Sequence, residues 1–406
     1  MDRNNKLFIA ASLANGASFS MILPLLAPLV RELKLSELQG GAMVSVGALL
    51  MAVGAIYISK NQSKFSIYQL LSIGFVGMAV TWGIFTAVLM YGLTVHIGML
   101  LLFSLLMLSR AATGVFMAMP QIALQTYVMT RFSNEQQRSQ AMSKFGALNS
   151  AGVIIGPFLT TLLLGFGGIM TPLWAAIIIL ALISVVLVFS FDRHTEQYSV
   201  EKPVTATDEI PSTDLSIQQC YPWLMLGFSL YLAIVTVNLT AGFYIQDRFN
   251  MTAAEGAVHF AECSLVVGIA LVIMQTLISK YLNWSVYRLL WVGLFSMAAA
   301  LLISVFTTEL QIFQATYLLY GISVACLIPA FTTGAAQTAP SALQTKVASW
   351  CTATQALSFV VGPLISTGLY QWHKEFPYYF LFLVMLGLIV FFLFQTKTQT
   401  VKRVTE

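Results

Sequence analysis

The sequence predicts an all-α integral membrane protein, with twelve transmembrane helices in two parallel-repeat six-helix bundles. Three observations carry this expectation. Of 406 residues, 58% are hydrophobic and 9% charged, whereas soluble domains are about a quarter charged; so little charge cannot coat a water-soluble globule of this size. The apolar residues fall in repeated long runs, which means spanning helices rather than an outer-membrane barrel. The second half of the chain also restates the first, in the same order and orientation. The net charge of +4 is small and its cations cluster in the loops of one side, so no nucleic-acid partner is expected. Cys220, Cys263, Cys326 and Cys351 have no metal-ligand spacing and read as small core residues, so neither metal nor cofactor is expected.

Taken in order, the predicted spans are Leu7–Val30, Glu37–Ile58, Ile67–Tyr91, Ile97–Val128, Ala141–Phe166, Met170–Phe191, Trp223–Ile245, Ala253–Ile278, Val286–Phe306, Leu310–Thr333, Ala342–Tyr370 and Tyr378–Phe394. Each can cross a hydrocarbon core of about 30 Å at about 1.5 Å per residue. The opening MDRNNK leads straight into the first run, which reads as a retained helix rather than the shorter apolar region of a cleaved signal. Between spans six and seven lies a polar stretch with two prolines, DRHTEQYSVEKPVTATDEIPSTDLSIQQ. It divides the chain into an N-terminal bundle at 1–192, a flexible linker at 193–221 and a C-terminal bundle at 222–406. Lys and Arg set the orientation. Arg3, Lys6, Lys60, Lys64, Arg131, Arg138, Lys144, Arg193, Lys202, Lys280, Arg288, Lys346, Lys397, Lys402 and Arg403 fall on one side, and only Arg31, Lys34, Arg248 and Lys374 on the other. Both termini are therefore expected in the cytoplasm, and the protein in the inner membrane.

The repeat is most visible in two stretches, Arg131–Leu164 and Pro340–Tyr370. Ser133-x-x-Gln136 and Ser341-x-x-Gln344 open them as capping boxes, and Gly156-Pro157 and Gly362-Pro363 follow at matching depths. Elsewhere, Ser36-x-x-Gln39 and Thr252-x-x-Glu255 start spans two and eight. Ile58-Ser59-Lys60 and Ile278-Ser279-Lys280 end them. Ser66-Ile67-Tyr68 and Ser285-Val286-Tyr287 open spans three and nine, and Pro120 is echoed by Pro329. Halves duplicated in parallel, with a site between them near the midplane, are a transporter architecture.

Two charged residues lie well inside spans. Arg110 sits about 13 residues, or about 20 Å, into span four, where a charge costs about 2.5–3.5 kcal/mol on insertion scales and must face the bundle interior or water. Glu262 lies about 10 residues, or about 15 Å, along span eight. A carboxyl at that depth suits proton carriage, and the matching place in span two is Val46. His259 is one turn earlier and is read as tuning Glu262, binding substrate or sitting at the interface; Glu255, a further turn back, is the capping-box acid. Asn15, Gln121, Asn238, Gln314, Tyr317 and Tyr320 are candidates for lining a substrate cavity, with interhelical hydrogen bonding as the competing role. In span five, Gly152 and Gly156 share a face that lets another backbone approach, and Pro157 bends the helix. The small residues Ala257, Ala261, Ser264 and Gly268 of span eight make the other half their expected partner, forming a gate.

These motifs resemble the major facilitator superfamily, most closely its twelve-span drug:proton antiporter branch, over nearly the whole chain. The fifth-span pattern G-x-x-x-G-P appears as Gly152-Val153-Ile154-Ile155-Gly156-Pro157, the fourth-span R-x-x-x-G as Arg110-Ala111-Ala112-Thr113-Gly114, and the first-span proline segment as Leu23-Pro24-Leu25-Leu26-Ala27-Pro28. The resemblance implies antiport, a proton-transfer role for Arg110 and a gating role for the fifth span. The chain also departs from the pattern. The loop after span two holds Ile58 where the family has an aspartate, so its charge lock is not expected in the usual form. Thr160 and Thr161 replace a second glycine pair, and the N-terminal half has Asn15 but no acid at depth. That absence favours neutral, zwitterionic or anionic cargo over broad cationic drugs, with Arg110 as a candidate anion contact.

The expectation is therefore a proton-coupled secondary transporter, not an enzyme. It would export a small organic molecule (a drug or a metabolite such as a siderophore) by alternating access, with small-molecule substrate, protons and the lipid bilayer as partners and a monomer as the working unit. The alternatives are a proton-coupled importer of an organic acid or metal chelate, and a non-transporting receptor or enzyme subunit. No nucleophile–base pair, nucleotide loop or folded soluble domain in the sequence supports the last of these.

Overall fold

The computed structural model describes residues 3–60, 64–95, 98–131, 148, 151–152, 155–160, 162–191, 217–282, 284–338 and 344–405. They form helices α1 (Arg3–Met21), α2 (Leu23–Glu32), α3 (Glu37–Lys60), α4 (Ile67–Thr94), α5 (Met99–Arg131), α6 (Ile155–Gly167), α7 (Met170–Ser190), α8 (Ile217–Phe249), α9 (Ala253–Lys280), α10 (Val286–Phe306), α11 (Leu310–Gln337), α12 (Gln344–Trp372) and α13 (Phe376–Thr405). No strand occurs among the described residues. Nine of these helices are individually long and apolar enough to cross a membrane. The remaining predicted spans, the first, fifth and eleventh, correspond to α1 with α2, α6 and α12. Exposed apolar faces such as Ile178, Leu182, Val185 and Phe189 on α7, or Val76, Val80 and Ile84 on α4, are the surfaces that lipid covers.

The first predicted span is not one helix. Pro24 has no N–H to give and sits at the start of α2. The Leu25 N–H then bonds to the Ile22 carbonyl at 2.9 Å, closing a tighter turn between α1 and α2. The predicted linker also shortens, because Ile217–Tyr221 already belong to α8; residues 193–216 lie outside the described residues. So do Ser133, Gln136 and Ser341 of the opening capping boxes.

The other predicted caps form. At α3, the Ser36 N–H donates to Gln39 Oε1 at 2.8 Å and the Gln39 N–H to Ser36 Oγ at 3.2 Å. At α9, Thr252 and Glu255 do the same at 2.9 and 3.3 Å. Ser66 closes a complete box at α4, and Ser285 accepts from the Arg288 N–H at α10. These reciprocal bonds satisfy helix N–H groups that have no partner within the helix. The turns before the two matching caps are alike as well. Lys34 and Asn250, each two residues ahead of its cap, are the two described non-glycine residues with positive φ, at 57° and 53°.

The chain divides into two compact units, Met1–Glu209 with Met251–Glu262, and Ile210–Asn250 with Cys263–Glu406. In the first, α5 packs on α3 and α4, and α7 on α4 and α1. In the second, α11 packs on α10, α13 on α10 and α8, and α12 on α8. Glycines set the closest approaches. Gly114 of α5 lies against the Gly47 backbone of α3, and Gly321 of α11 against Val267 and Ala270 of α9. Gly74 and Gly293 occupy the same place in α4 and α10, counted from the Ser caps, and both receive side chains of the next helix: Pro120 in one unit, Leu327 in the other. The duplication read from sequence motifs therefore extends to the order of helix packing within each unit.

Candidate functional site

Arg110 is held by three helices of the first unit. It projects from α5 with 8% of its surface exposed, and its guanidinium carbon lies 5.2 Å from the Trp82 ring centre and 5.6 Å from that of Phe85, both on α4. The two rings are one turn apart, meet edge to face and are themselves buried. They give the cation π-faces in place of a carboxylate. On the α3 side stands Gly47, where a Cβ would come within 4.0 Å of Arg110 Nη2. Arg110 Nη1 is buried without a hydrogen-bond partner, as are Trp82 Nε1, Ser45 Oγ and Thr86 Oγ1. Among the described residues no carboxylate lies within ion-pair distance of it.

Glu262 and His259 are joined. His259 Nδ1 lies 2.8 Å from Glu262 Oε2, one turn apart on α9. The pair is not enclosed: the glutamate side chain is 43% exposed. It falls on the helix face that continues, two turns on, with exposed Ile269, Val272 and Ile273. Glu255 is occupied as expected by the Thr252 cap, accepting from both its N–H and its hydroxyl.

The cavity candidates separate. Asn15 on α1 is buried and its Nδ2 donates to Gln121 Oε1 on α5 at 3.3 Å, while Asn15 Oδ1 has no partner. Asn238 turns back onto its own helix, donating to the Ile234 carbonyl at 2.7 Å. Gln314 is half-buried on α11. Tyr317 and Tyr320 are packed inside the second unit. Their rings lie 5.2 Å apart, Tyr317 meets Phe313, and Tyr320 OH is 3.0 Å from Ser304 Oγ. Tyr244 joins the cluster by donating to the Ser304 carbonyl at 3.1 Å. This places the two tyrosines in the bundle's packing core.

The glycine motif packs on the first helix, a neighbour the sequence did not mark. A Cβ at Gly152 would lie 2.5 Å from the Leu13 carbonyl oxygen and 3.0 Å from the Ala17 nitrogen, and one at Gly156 would meet Ser20 and the Ala17 carbonyl. All belong to α1, in the same unit. The small residues Gly16, Ala17 and Ser20 of α1 stand against these two glycines. Pro157 is buried on the same helix. Thr160, one of the departures noted above, donates to the Met21 carbonyl at 2.9 Å. That carbonyl lies at the α1–α2 break, where the Leu25 N–H has turned to Ile22 instead. In the second unit the same surface is built differently: Ser358, in the place of Gly152, donates to the Phe228 carbonyl of α8 at 3.1 Å.

Sequence reasoning missed the ring pair around Arg110. Trp82-x-x-Phe85 was a findable signal, two aromatics one turn apart in a span neighbouring the arginine, but aromatics are 12% of this chain and nothing marked these two. Among the described residues there is no His/Cys/Asp/Glu group that could hold a metal ion.

Comparison with known proteins agrees with this architecture. Solved structures similar to this chain include a bacterial homologue of the human lysosomal transporter Spinster, in an inward-facing and occupied conformation. It shares 14% identity at a TM-score of 0.69, covering 89% of this chain and 80% of the other. The nucleoside transporter NupG shares 10% identity at a TM-score of 0.72, covering 96% and 97%. At such identities the likeness is one of fold. A search of curated proteins returns no match. The family model described as Major Facilitator Superfamily matches residues 8–350, and this multi-pass membrane protein, with its duplicated six-helix halves, belongs to that superfamily of transporters.

Proposed function

We propose that this transporter exports a small organic molecule in exchange for protons, working by alternating access as a monomer in the inner membrane with both termini cytoplasmic. The observation that carries the reading is the His259–Glu262 pair, 2.8 Å apart inside a spanning helix. With a proton on the carboxyl, the pair is two neutral groups. Without it, the carboxylate keeps a hydrogen-bonding imidazole beside it. A site that changes charge in this way suits pickup and release of protons on alternate sides. The motifs Gly152–Pro157 and Arg110–Gly114 resemble those of the drug:proton antiporter branch and support exchange over co-transport. The packing of Gly152 and Gly156 on α1 gives the fifth span a tight anchor within its own half, on which such a motion can turn.

Glu262→Gln is expected to abolish proton-driven export while leaving expression and membrane insertion intact. Transport in everted vesicles checks this: a normal, pH-dependent rate in the variant would sink the assignment. His259→Gln is expected to shift the pH dependence of the rate rather than abolish it. A second reading, proton-coupled uptake of an organic acid, is favoured by the unpaired Nη1 of Arg110. Substrate accumulation in cells with and without the proton gradient separates the two directions.

A further inference from the structure

We infer that Arg110 is the anchor of a binding site for an anionic group, a carboxylate or phosphate carried by the transported molecule. The inference rests on the transporter reading above but not on its direction or its coupling residue. A buried guanidinium needs both a compensating charge and acceptors for its N–H groups. The rings of Trp82 and Phe85 supply quadrupole attraction but accept little hydrogen bonding. Nη1 remains without an acceptor, and no carboxylate of the described residues stands within ion-pair distance.

The surrounding groups fit an anion rather than a cation. Trp82 Nε1 is donor-only, buried and unpaired, on the ring that flanks the guanidinium. Thr86 Oγ1, one turn beyond on the same helix, is a buried hydroxyl without a partner. Gly47 keeps α3 free of a side chain next to Nη2. Two fixed donors with an aromatic wall describe a receptor for an oxyanion on an apolar or aromatic body. A planar guanidinium edge takes a carboxylate or phosphate at one donor or two.

The test uses the purified full-length protein in detergent without a proton gradient, so that its outcome is independent of the Glu262 transport assay. Probes are benzoate, its uncharged analogue benzamide, phenyl phosphate, inorganic phosphate and chloride. Binding is read by thermal stabilisation and by tryptophan emission, with Trp82→Phe identifying the Trp82 signal. Benzoate or phenyl phosphate should stabilise the protein and change Trp82 emission, and benzamide should not. Arg110→Gln should weaken the organic anions by about tenfold or more, and Arg110→Lys less, because it keeps the charge but loses the planar edge. Size-exclusion profiles matching the wild type establish that both variants fold; if Arg110→Gln does not fold, the benzoate-to-benzamide contrast and the Lys variant decide. Equal effects of benzoate and benzamide, or organic-anion binding unchanged in either variant, overturn the proposal. A response to chloride or inorganic phosphate alone also overturns it, by making the site one for a counter-ion. So does the absence of any response in the wild type.

Discussion

Arg248 shows how much a single side chain fastens in the second unit. Its Nη1 donates to Glu375 Oε1 at 2.8 Å, Nη2 to the Val305 and Thr307 carbonyls at 3.0 and 3.1 Å, and Nε to Thr307 at 3.3 Å. Val305 lies in the last turn of α10, where carbonyls have no partner within the helix. The guanidinium therefore joins the end of α8 to the end of α10 and to the turn before α13. Beside it, Tyr370 OH donates to Asp247 at 2.6 Å and Lys374 Nζ to the Asp247 carbonyl at 3.0 Å. Arg248→Met is expected to destabilise the protein by about 1.5–3 kcal/mol, the range for hydrogen bonds to a charged group, and Arg248→Lys by less. Thermal unfolding in detergent checks this, and an unchanged midpoint for Arg248→Met would refute it. From sequence, Arg248 and Arg110 looked like different problems, a loop cation and a buried charge, and only the second was marked as functional. The depth of a charge is legible from its place in an apolar run. Its partners are not, because Glu375 and the α10 carbonyls come from distant parts of the chain.

At the scale of elements, hydropathy and capping residues located most helices, since a spanning helix must satisfy its backbone internally and buries a long apolar run. What they did not reveal was the break in the first span and the partner of the glycine face. Pro24 sits inside an apolar run that reads as continuous, and its effect depends on Leu25 turning to Ile22. A stripe of small residues announces that a backbone comes close but not which one. Both ambiguities meet at the same contact, with Gly152 and Gly156 lying on α1 and Thr160 capping the carbonyl left at the break. This packing predicts the outcome of Gly152→Leu. The added side chain would meet the backbone of Leu13, Gly16 and Ala17, which cannot rotate away as a side chain can. Thermal stability and transport should fall together, with stability lower by about 1–3 kcal/mol. Loss of transport at wild-type stability would instead make the contact a moving gate, and would show that α6 leaves α1 during the cycle.

For the whole molecule the duplication was the most legible feature, because it is written in caps and turns rather than in side-chain contacts. The same reciprocal caps open α3 and α9, and positive-φ residues precede both at the same distance. Six spans per half bring the second half to the bilayer in the orientation of the first, so matching turns must face the same side. The lysine and arginine distribution then assigns that side. Both statements are open to one experiment. Of the native cysteines, Cys220, Cys263 and Cys326 are buried and shielded from a membrane-impermeant thiol reagent, and only half-buried Cys351 needs replacement by serine. Single reporter cysteines at Lys34 and Asn250 should then label from outside intact cells, and those at Lys64 and Lys280 only after the cells are opened. Labelling of Lys34→Cys and Asn250→Cys from opposite sides would break the parallel duplication itself. Labelling of all four positions from the reversed sides would keep the duplication, invert the orientation and place the linker and both termini outside.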